Sequence, residues 1–506
     1  MRGTLPPALT VLGRERLVSA PHPAMKTPLV RLCVVFSCLL AIATAAERAA
    51  QRPNVLFIAI DDLNNDLGSF GAAHARTPHL DAFARASRAF TRHYVHVPTC
   101  GASRAALLRG QRPSKPIHLS NNAIRDTQTE WAAQSLPGWF RQHGYRTYAL
   151  GKITHYPGGL TGKGWAEGPE EMPGVWDRSW LPQSPWKTAE DVMHGYANGQ
   201  PRVSGRSPAW EALDGPDSAY PDAWVADESI ATLRELAGED RGPWMLAVGF
   251  FKPHLPFAAP KRWFDLHDPS KLPAPADMAR APAPSSWHPS NELLGNYGQH
   301  PSDPSADEAY ARQLRHGYAA VVSYVDAQVG RLLEAVEALG LARNTVIVVW
   351  GDHGFSLGEQ GIWAKHALYE AALRSPLMIR TPELTAPGAQ SRAVVESVDI
   401  FPTLTDLCGL PTPDGLSGQS LRSYLQNPAA PSAKPALAWF TRGQSTIRTD
   451  DWRLIVHQPD EATQGMELFD FRTAPQGRRV DPQTEPAVVA QLRAQLPAPA
   501  ALQPTR

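Results

Sequence analysis

The sequence is short of cysteine, with four in 506 residues. Cys33 and Cys38 fall in the N-terminal segment, and Cys100 and Cys408 stand far apart, so no disulfide framework is available. Net charge is also lacking, because 49 Lys+Arg balance 49 Asp+Glu. Without an overall basic field nucleic acid is not expected as a partner, and recognition of any anion has to be local. No apolar run is long enough to span a membrane. Leu32 to Ala43 is too short and is flanked as an export signal would be. No internal repeat is found.

Proline and tryptophan are abundant, at 48 and 15 residues. They point to long ordered loops, some presenting aromatic surface. Hydrophobic residues at 43% and charged residues at 19% suit a globular chain, long enough for one large α/β domain and a smaller one. At the start, Met25-Lys26 and Arg31 supply a positive segment, and Ala43-Thr44-Ala45 a small-residue cleavage site. Residues 1–45 are therefore expected to be an extension plus signal peptide, with Met25 the true start and a periplasmic or secreted destination. Cleavage there leaves Cys100 and Cys408. Cys408 precedes Gly409 at a helix end and is expected to pack in the core.

Asn54–Ile60 is a nearly continuous apolar run, the mark of a strand buried on both faces in a parallel sheet. Similar strands are expected over 145–150, 244–250 and 345–350, with helices over 80–89, 139–143, 224–237 and 318–339. Each strand delivers polar residues just past its C-terminal end: Asp61 and Asp62, Lys152 and His155, Lys252 and His254, Asp352 and His353. Ligands of open α/β sheets bind at that edge, so these groups are expected to converge. The stretch 156–220 lacks periodicity but holds Trp165, Trp176, Trp180 and Trp186. It is expected to fold as an excursion that helps wall a pocket. Beyond a Pro/Ala/Ser-rich linker near 428–434, short strand-like pieces at 438–441, 446–448, 453–457 and 467–471 and a helix near 488–496 suggest a small antiparallel sheet. The expected organisation is a catalytic domain over 50–428 and an α+β subdomain over 435–497. The fold class is α/β: a large mixed, mostly parallel sheet sandwiched by helices, with the smaller antiparallel subdomain behind it.

Cys100 opens a helix-like run, with Arg104 one turn on. A side chain there faces the positive end of the helix with a cation beside it. Asp61, Asp62, Asp352 and His353 form a hard, oxygen-rich ligand set that suits Ca²⁺ or Mg²⁺ better than zinc. Arg104, Lys152, Lys252 and Lys365 supply positive charge for a small oxyanion and for its transition state. His155 and His254 are candidates for acid/base work. A nucleophile beside a metal and several cations describes sulfuryl or phosphoryl transfer.

These residues resemble the type I sulfatases of the alkaline-phosphatase superfamily, and within them the iduronate-2-sulfatase branch. The resemblance runs from about Arg52 to Pro482. It is carried by Arg52-Pro53-Asn54-Val55-Leu56 through Asp61-Asp62-Leu63, Cys100 to Arg104, Gly151-Lys152 with His155, Lys252 to Phe257, Asp352-His353-Gly354, Trp363-Ala364-Lys365 and Glu467-Leu468-Phe469-Asp470. The resemblance implies that Cys100 is converted to formylglycine by a formylglycine-generating enzyme. It also implies one Ca²⁺ held by Asp61, Asp62, Asp352, His353 and the modified residue 100. Further implications are a proton from His254 with Lys365 for the leaving alcohol, and a proton taken toward His155 when sulfate is expelled. The implied substrate is a sulfated sugar or uronic acid of a polysaccharide or glycosaminoglycan, and the long Trp-rich loop, by closing a pocket, is expected to favour a terminal sugar. The chain departs from the family motif at Ala102, where proline is usual. It also shows no clear counterpart of a substrate-side lysine, for which Arg442 and Arg448 are the stand-ins. Three other readings stay open: a phosphodiesterase or phosphonate monoester hydrolase on the same scaffold, a catalytically dead glycan-binding homologue, and a zinc hydrolase, which the ligand set disfavours.

Overall fold

Asn54–Ile60 forms strand β1, with Val55 to Ile60 all buried. An apolar run buried on both faces belongs in the middle of a helix-covered sheet, and β1 lies there. The computed structural model describes residues 52–156, 171–238, 241–298, 303–440, 443–457 and 465–497. The expected export signal, Trp165 and Arg442 fall outside the described residues.

The main sheet has eight strands: β1, β2 (Arg88–Tyr94), β3 (Arg146–Gly151), β4 (Arg178–Trp180), β5 (Trp244–Phe250), β6 (Thr345–Gly351), β7 (Leu377–Arg380) and β8 (Gln390–Glu396). Their order is β8-β2-β7-β6-β1-β5-β3-β4. Neighbours run parallel except at β7, which is antiparallel to β2 and β6. The sheet is thus mixed and mostly parallel, as expected. The four strands read from apolar runs are the contiguous block β6-β1-β5-β3. Ile60 pairs with Phe250 and Gly351, and Gly151 with Gly249, so their C-terminal ends share one edge.

Alternate residues of β1 feed two cores. Leu56, Ile58 and Ile60 pack with residues of helices α1 (Pro78–Arg85), α3 (Pro221–Ala237) and α4 (Glu308–Ala338). Val55, Phe57 and Ala59 pack on the other face with Leu107, Leu108, Phe401 and Leu404. Leu107 and Leu108 belong to α2 (Cys100–Arg109), and Phe401 and Leu404 to α5 (Ile400–Leu407). Cys408 is buried beside Gly409, whose φ of +61° ends α5 as expected.

Three expectations change. The helix over 80–89 stops at Arg85, and β2 begins at Arg88. The Arg88 guanidinium is buried and donates to the carbonyls of Thr385, Ala386, Tyr424 and Leu425, which fixes it in a strand. Helix α4 starts well before Tyr318, because Asp307 caps it by accepting from the Ala309 and Tyr310 amides at 3.0 Å each. The described tryptophans of the long excursion do not present aromatic surface: Trp176 and Trp186 are core residues, and Trp180 and Trp210 pack half-buried against the core. Among the described residues the exposed large apolar side chains are Val203, Leu213 and Leu266, none of them aromatic.

The C-terminal sheet is antiparallel, with five strands in chain order: β9 (Ala436–Phe440), β10 (Gln444–Arg448), β11 (Trp452–Val456), β12 (Met466–Asp470) and β13 (Arg478–Val480). Leu437, Trp439, Ile447 and Leu454 pack against Val97 and Ala102, so this sheet backs directly onto the start of α2.

Candidate active site

Cys100 is the first residue of α2, after Thr99 in extended conformation. Residues Cys100 to Leu108 are all buried, so the helix is enclosed on every side. Its first turn is held by Asn121, whose Oδ1 accepts from the Gly101 amide at 2.9 Å. Gly101 is required because a Cβ there would overlap the Asn121 backbone. The Cys100 sulfur lies 3.2 Å from His353 Nε2 and 3.8 Å from Asp62 Oδ1. Burial pushes this thiol well above its ordinary pKa, against the pull of Lys152 and Lys365.

Arg104 projects one turn on, as its spacing requires, and joins two strand ends. Its Nη2 lies 2.9 Å from Asp61 Oδ1 after β1, and its Nε lies 3.0 Å from Asp352 Oδ2 after β6. It also donates to the carbonyls of Lys152 and Ile153. Lys152, one residue past β3, pairs with Asp61 Oδ2. Burial alone would raise the Asp61 carboxyl, but Lys152 and Arg104 override it and hold it well below the usual range. Asp62 and Asp352 move the other way: burial raises both, and each also faces the Asp61 charge.

Asp62 has a φ of +59°, an uncommon conformation for a non-glycine residue. Its amide donates to Asp352 Oδ1 at 3.0 Å and its carbonyl accepts from Tyr318 Oη at 2.8 Å. The surroundings therefore fix this geometry. Lys365 reaches across to Asp62, with Nζ 2.8 and 2.9 Å from the two carboxylate oxygens.

Donor atoms of Asp62, Cys100 and His353 lie within 4.8 Å of one another, as do those of Asp61, Cys100 and Asp352 and those of Asp61, Asp62 and His254. Asp61, Asp62, Asp352 and His353 have no exposed surface. Three buried carboxylates and an imidazole at one point are a hard donor set, and their chemistry fits a divalent cation. His155, His254, Lys365 and Cys100 all line one cavity of about 800 Å³. A larger cavity, about 1530 Å³, opens beside the C-terminal sheet and contains none of the strand-end residues. The chemistry marks the smaller one as the site.

The strand-edge expectation holds for Asp61, Asp62, Lys152, His155, His254, Asp352 and His353, which come together with Cys100, Arg104 and Lys365. It fails for Lys252. That ammonium donates to the carbonyls of His254 and Pro256 at 3.0 and 2.7 Å, so it braces its own turn rather than facing an oxyanion. Burial lowers its pKa to about 8. Arg448 also fails as a substrate residue: it is buried, pairs with Glu370 at 3.4 Å and stacks on Phe471 at 3.5 Å.

Several cavity residues carry no sequence signal. Glu292 comes from the four-residue helix Asn291–Leu294 and pairs with Lys365 at 2.7 Å. His194 and Arg202 come from the long excursion, His366 follows Lys365, and Phe440 and Gln444 come from the C-terminal sheet. His366, next to the Trp363-Ala364-Lys365 motif, was the one within reach of motif reading. No periodicity marks the others.

The sulfatase family model matches residues 53–410, and a model of the N-sulphoglucosamine sulphohydrolase C-terminal region matches 358–500. A sulfatase of Formosa agariphila is 30% identical over 462 residues, covering 87% of this chain and 85% of that protein. The iduronate 2-sulfatase of Homo sapiens is 30% identical over 439 residues, covering 78% and 76%. Among solved structures, a phosphonate monoester hydrolase from Silicibacter pomeroyi superposes with a TM-score of 0.66 at 25% identity, covering 88% of this chain and 93% of that one. The matched region takes in every strand end that supplies the site, from Asp61 to Lys365, and on that match the chain belongs to the sulfatase family of sulfuric ester hydrolases.

Proposed function

We propose that the chain hydrolyses a sulfate ester on a terminal sulfated sugar or uronic acid of a polysaccharide or glycosaminoglycan, through a formylglycine formed from Cys100. The observation that carries this reading is the Cys100 side chain at the start of α2, 3.2 Å from His353 and 3.8 Å from Asp62, in the wall of the cavity. Asp61, Asp62, Asp352 and His353, with the modified residue 100, would hold Ca²⁺. The hydrated aldehyde and the cation together supply a nucleophilic hydroxyl and a Lewis acid for the sulfate oxygens.

The chain's own residues do the rest. Arg104 fixes the positions of the Asp61 and Asp352 carboxylates through two charged hydrogen bonds. Lys152 and Lys365, held by Asp61 and Asp62, place positive charge where the sulfate oxygens would lie. His254 and Lys365 stand beside the cavity as donors to the leaving alcohol, and His155 as the acceptor of a proton on the nucleophile's side. The Nδ1 of His155 is buried without a hydrogen-bond partner among the described residues, so this nitrogen is open to take a proton. A cavity of about 800 Å³ suits a terminal sugar better than the middle of a polymer. The export signal read at residues 25–45 supports a periplasmic or secreted enzyme, and the formylglycine reading calls for a formylglycine-generating enzyme as its maturation partner.

The test is mass spectrometry of the Cys100 peptide from protein produced with a formylglycine-generating enzyme, paired with sulfate release from a uronate 2-sulfate. Conversion with release supports the reading. An unconverted thiol with intact glycan binding supports the dead homologue instead. The likeness to a phosphonate monoester hydrolase supports a second reading, hydrolysis of a phosphonate or phosphodiester. A higher kcat/KM on aryl phosphonate than on aryl sulfate would favour it.

A further inference from the structure

Glu292 has no part in the scheme above, yet three cationic or protonatable groups of the cavity meet on it. Its Oε1 lies 2.7 Å from Lys365 Nζ and 3.6 Å from His254 Nε2, and its Oε2 lies 3.5 Å from His366 Nδ1. The side chain is 11% exposed, and Oε2 is buried with no hydrogen-bond partner among the described residues. His254 Nδ1 faces the Leu255 carbonyl at 2.6 Å, which fixes the ring and turns Nε2 toward Glu292. On the other side Lys365 is held by Asp62. Its ammonium is therefore stretched between a carboxylate beside Cys100 and a carboxylate of the opposite wall. A buried carboxylate placed only for packing would be an expensive choice, whereas one shared by both candidate donors fixes where they deliver a proton.

We propose that Glu292 is a positioning residue for leaving-group protonation, holding Lys365 and His254 together at the point where the departing alcohol leaves. This rests on the sulfate-ester reading of the same site. As a hydroxyl oxygen of the modified residue 100 bonds to sulfur, the ester sulfur–oxygen bond breaks, and its electron pair stays on the departing oxygen, which takes a proton from Lys365 or His254. Glu292 itself makes no bond to substrate and keeps its charge throughout.

The test compares Glu292→Gln with the unaltered, matured enzyme on two substrates. An alcohol sulfate needs a proton on its leaving oxygen, while 4-nitrophenyl sulfate releases a stable phenolate and needs little help. The expected result is a fall in kcat of about 100-fold on the alcohol sulfate, within the usual range for general acid catalysis, and only a few-fold loss on the aryl sulfate. Glu292→Asp should recover part of the loss. Because the ratio of the two activities is taken on one preparation, a reduced folded fraction cancels. Equal losses on both substrates would overturn the proposal and leave Glu292 a structural residue. Release of sulfate from neither substrate by the unaltered enzyme would instead overturn the hydrolase reading on which it rests.

Discussion

Arg104 Nη2 and Asp61 Oδ1 lie 2.9 Å apart, both without exposed surface. The same guanidinium donates to Asp352 at 3.0 Å, so one side chain serves the ends of two adjacent parallel strands. Removing one partner of a buried charged network leaves the others uncompensated. Arg104→Ala is expected to lose about 3–5 kcal/mol of stability and nearly all activity. Arg104→Lys restores the charge but not the planar fork, and should recover stability more than activity. Denaturation midpoints and sulfate release, measured together, check both.

Occupancy by a cation should be visible without any assay of turnover. Three buried carboxylates share their enclosure with Arg104, Lys152 and Lys365, and a bound divalent ion adds to that compensation. Ligand linkage gives about 2.7 kcal/mol at a hundredfold excess over Kd. Calcium is therefore expected to raise the thermal midpoint of chelator-stripped protein, and Asp352→Asn should abolish that rise. A midpoint that responds to zinc and not to calcium would reinstate the zinc hydrolase.

Glu370 joins the main body to the C-terminal sheet. Its carboxylate lies 2.8 Å from Arg453 and 3.4 Å from Arg448, and it accepts from Tyr94 Oη at 2.9 Å. Burial alone would raise its pKa, but Arg448, Arg453 and Arg374 override this and bring it from 4.5 down to about 2. A depressed carboxyl stabilises fully above its unfolded pKa, and that contribution is lost as pH falls from about 4.5 toward 2. It is worth about 3 kcal/mol at neutral pH. Glu370→Gln should lower stability by about that much at pH 7, with the difference shrinking through the acid window. A difference independent of pH would contradict this.

Gly101 offers a steric test. Any Cβ there overlaps the Asn121 backbone, so Gly101→Ala has to displace either Asn121 or the start of α2. The expected outcome is a stability loss of about 1–3 kcal/mol with a larger loss of activity, because Cys100 moves with the helix. Circular dichroism melting and sulfate release separate the two effects.

The sequence exposed the centre of the sheet and hid its flank. β1, β3, β5 and β6 are apolar runs whose meaning does not depend on their neighbours. β2 reads Arg-Ala-Phe-Thr-Arg-His-Tyr, and its polar residues are tolerated only because of distant partners. His93, for example, meets Ser397 Oγ at 2.9 Å and the Ser375 carbonyl at 3.1 Å. The site divides in the same way. Residues just past strand ends were legible, since topology alone places them. Lys252 obeyed that rule in sequence but turned inward to brace its own loop. Glu292, His194 and Arg202 arrive on irregular segments, where only the folded path brings them to the cavity.

The proposed reacting groups stand at the edge of four adjacent strands and on one enclosed helix, whereas much of the cavity wall comes from the excursion near 189–202, the loop near 286–297 and the β9–β10 hairpin. Centre and wall are thus supplied by separate segments of the chain. A lineage can exchange wall segments one at a time, and so change which molecule is accepted, while the centre that breaks the ester stays in place. Relatives with different substrates should then differ first in these three segments.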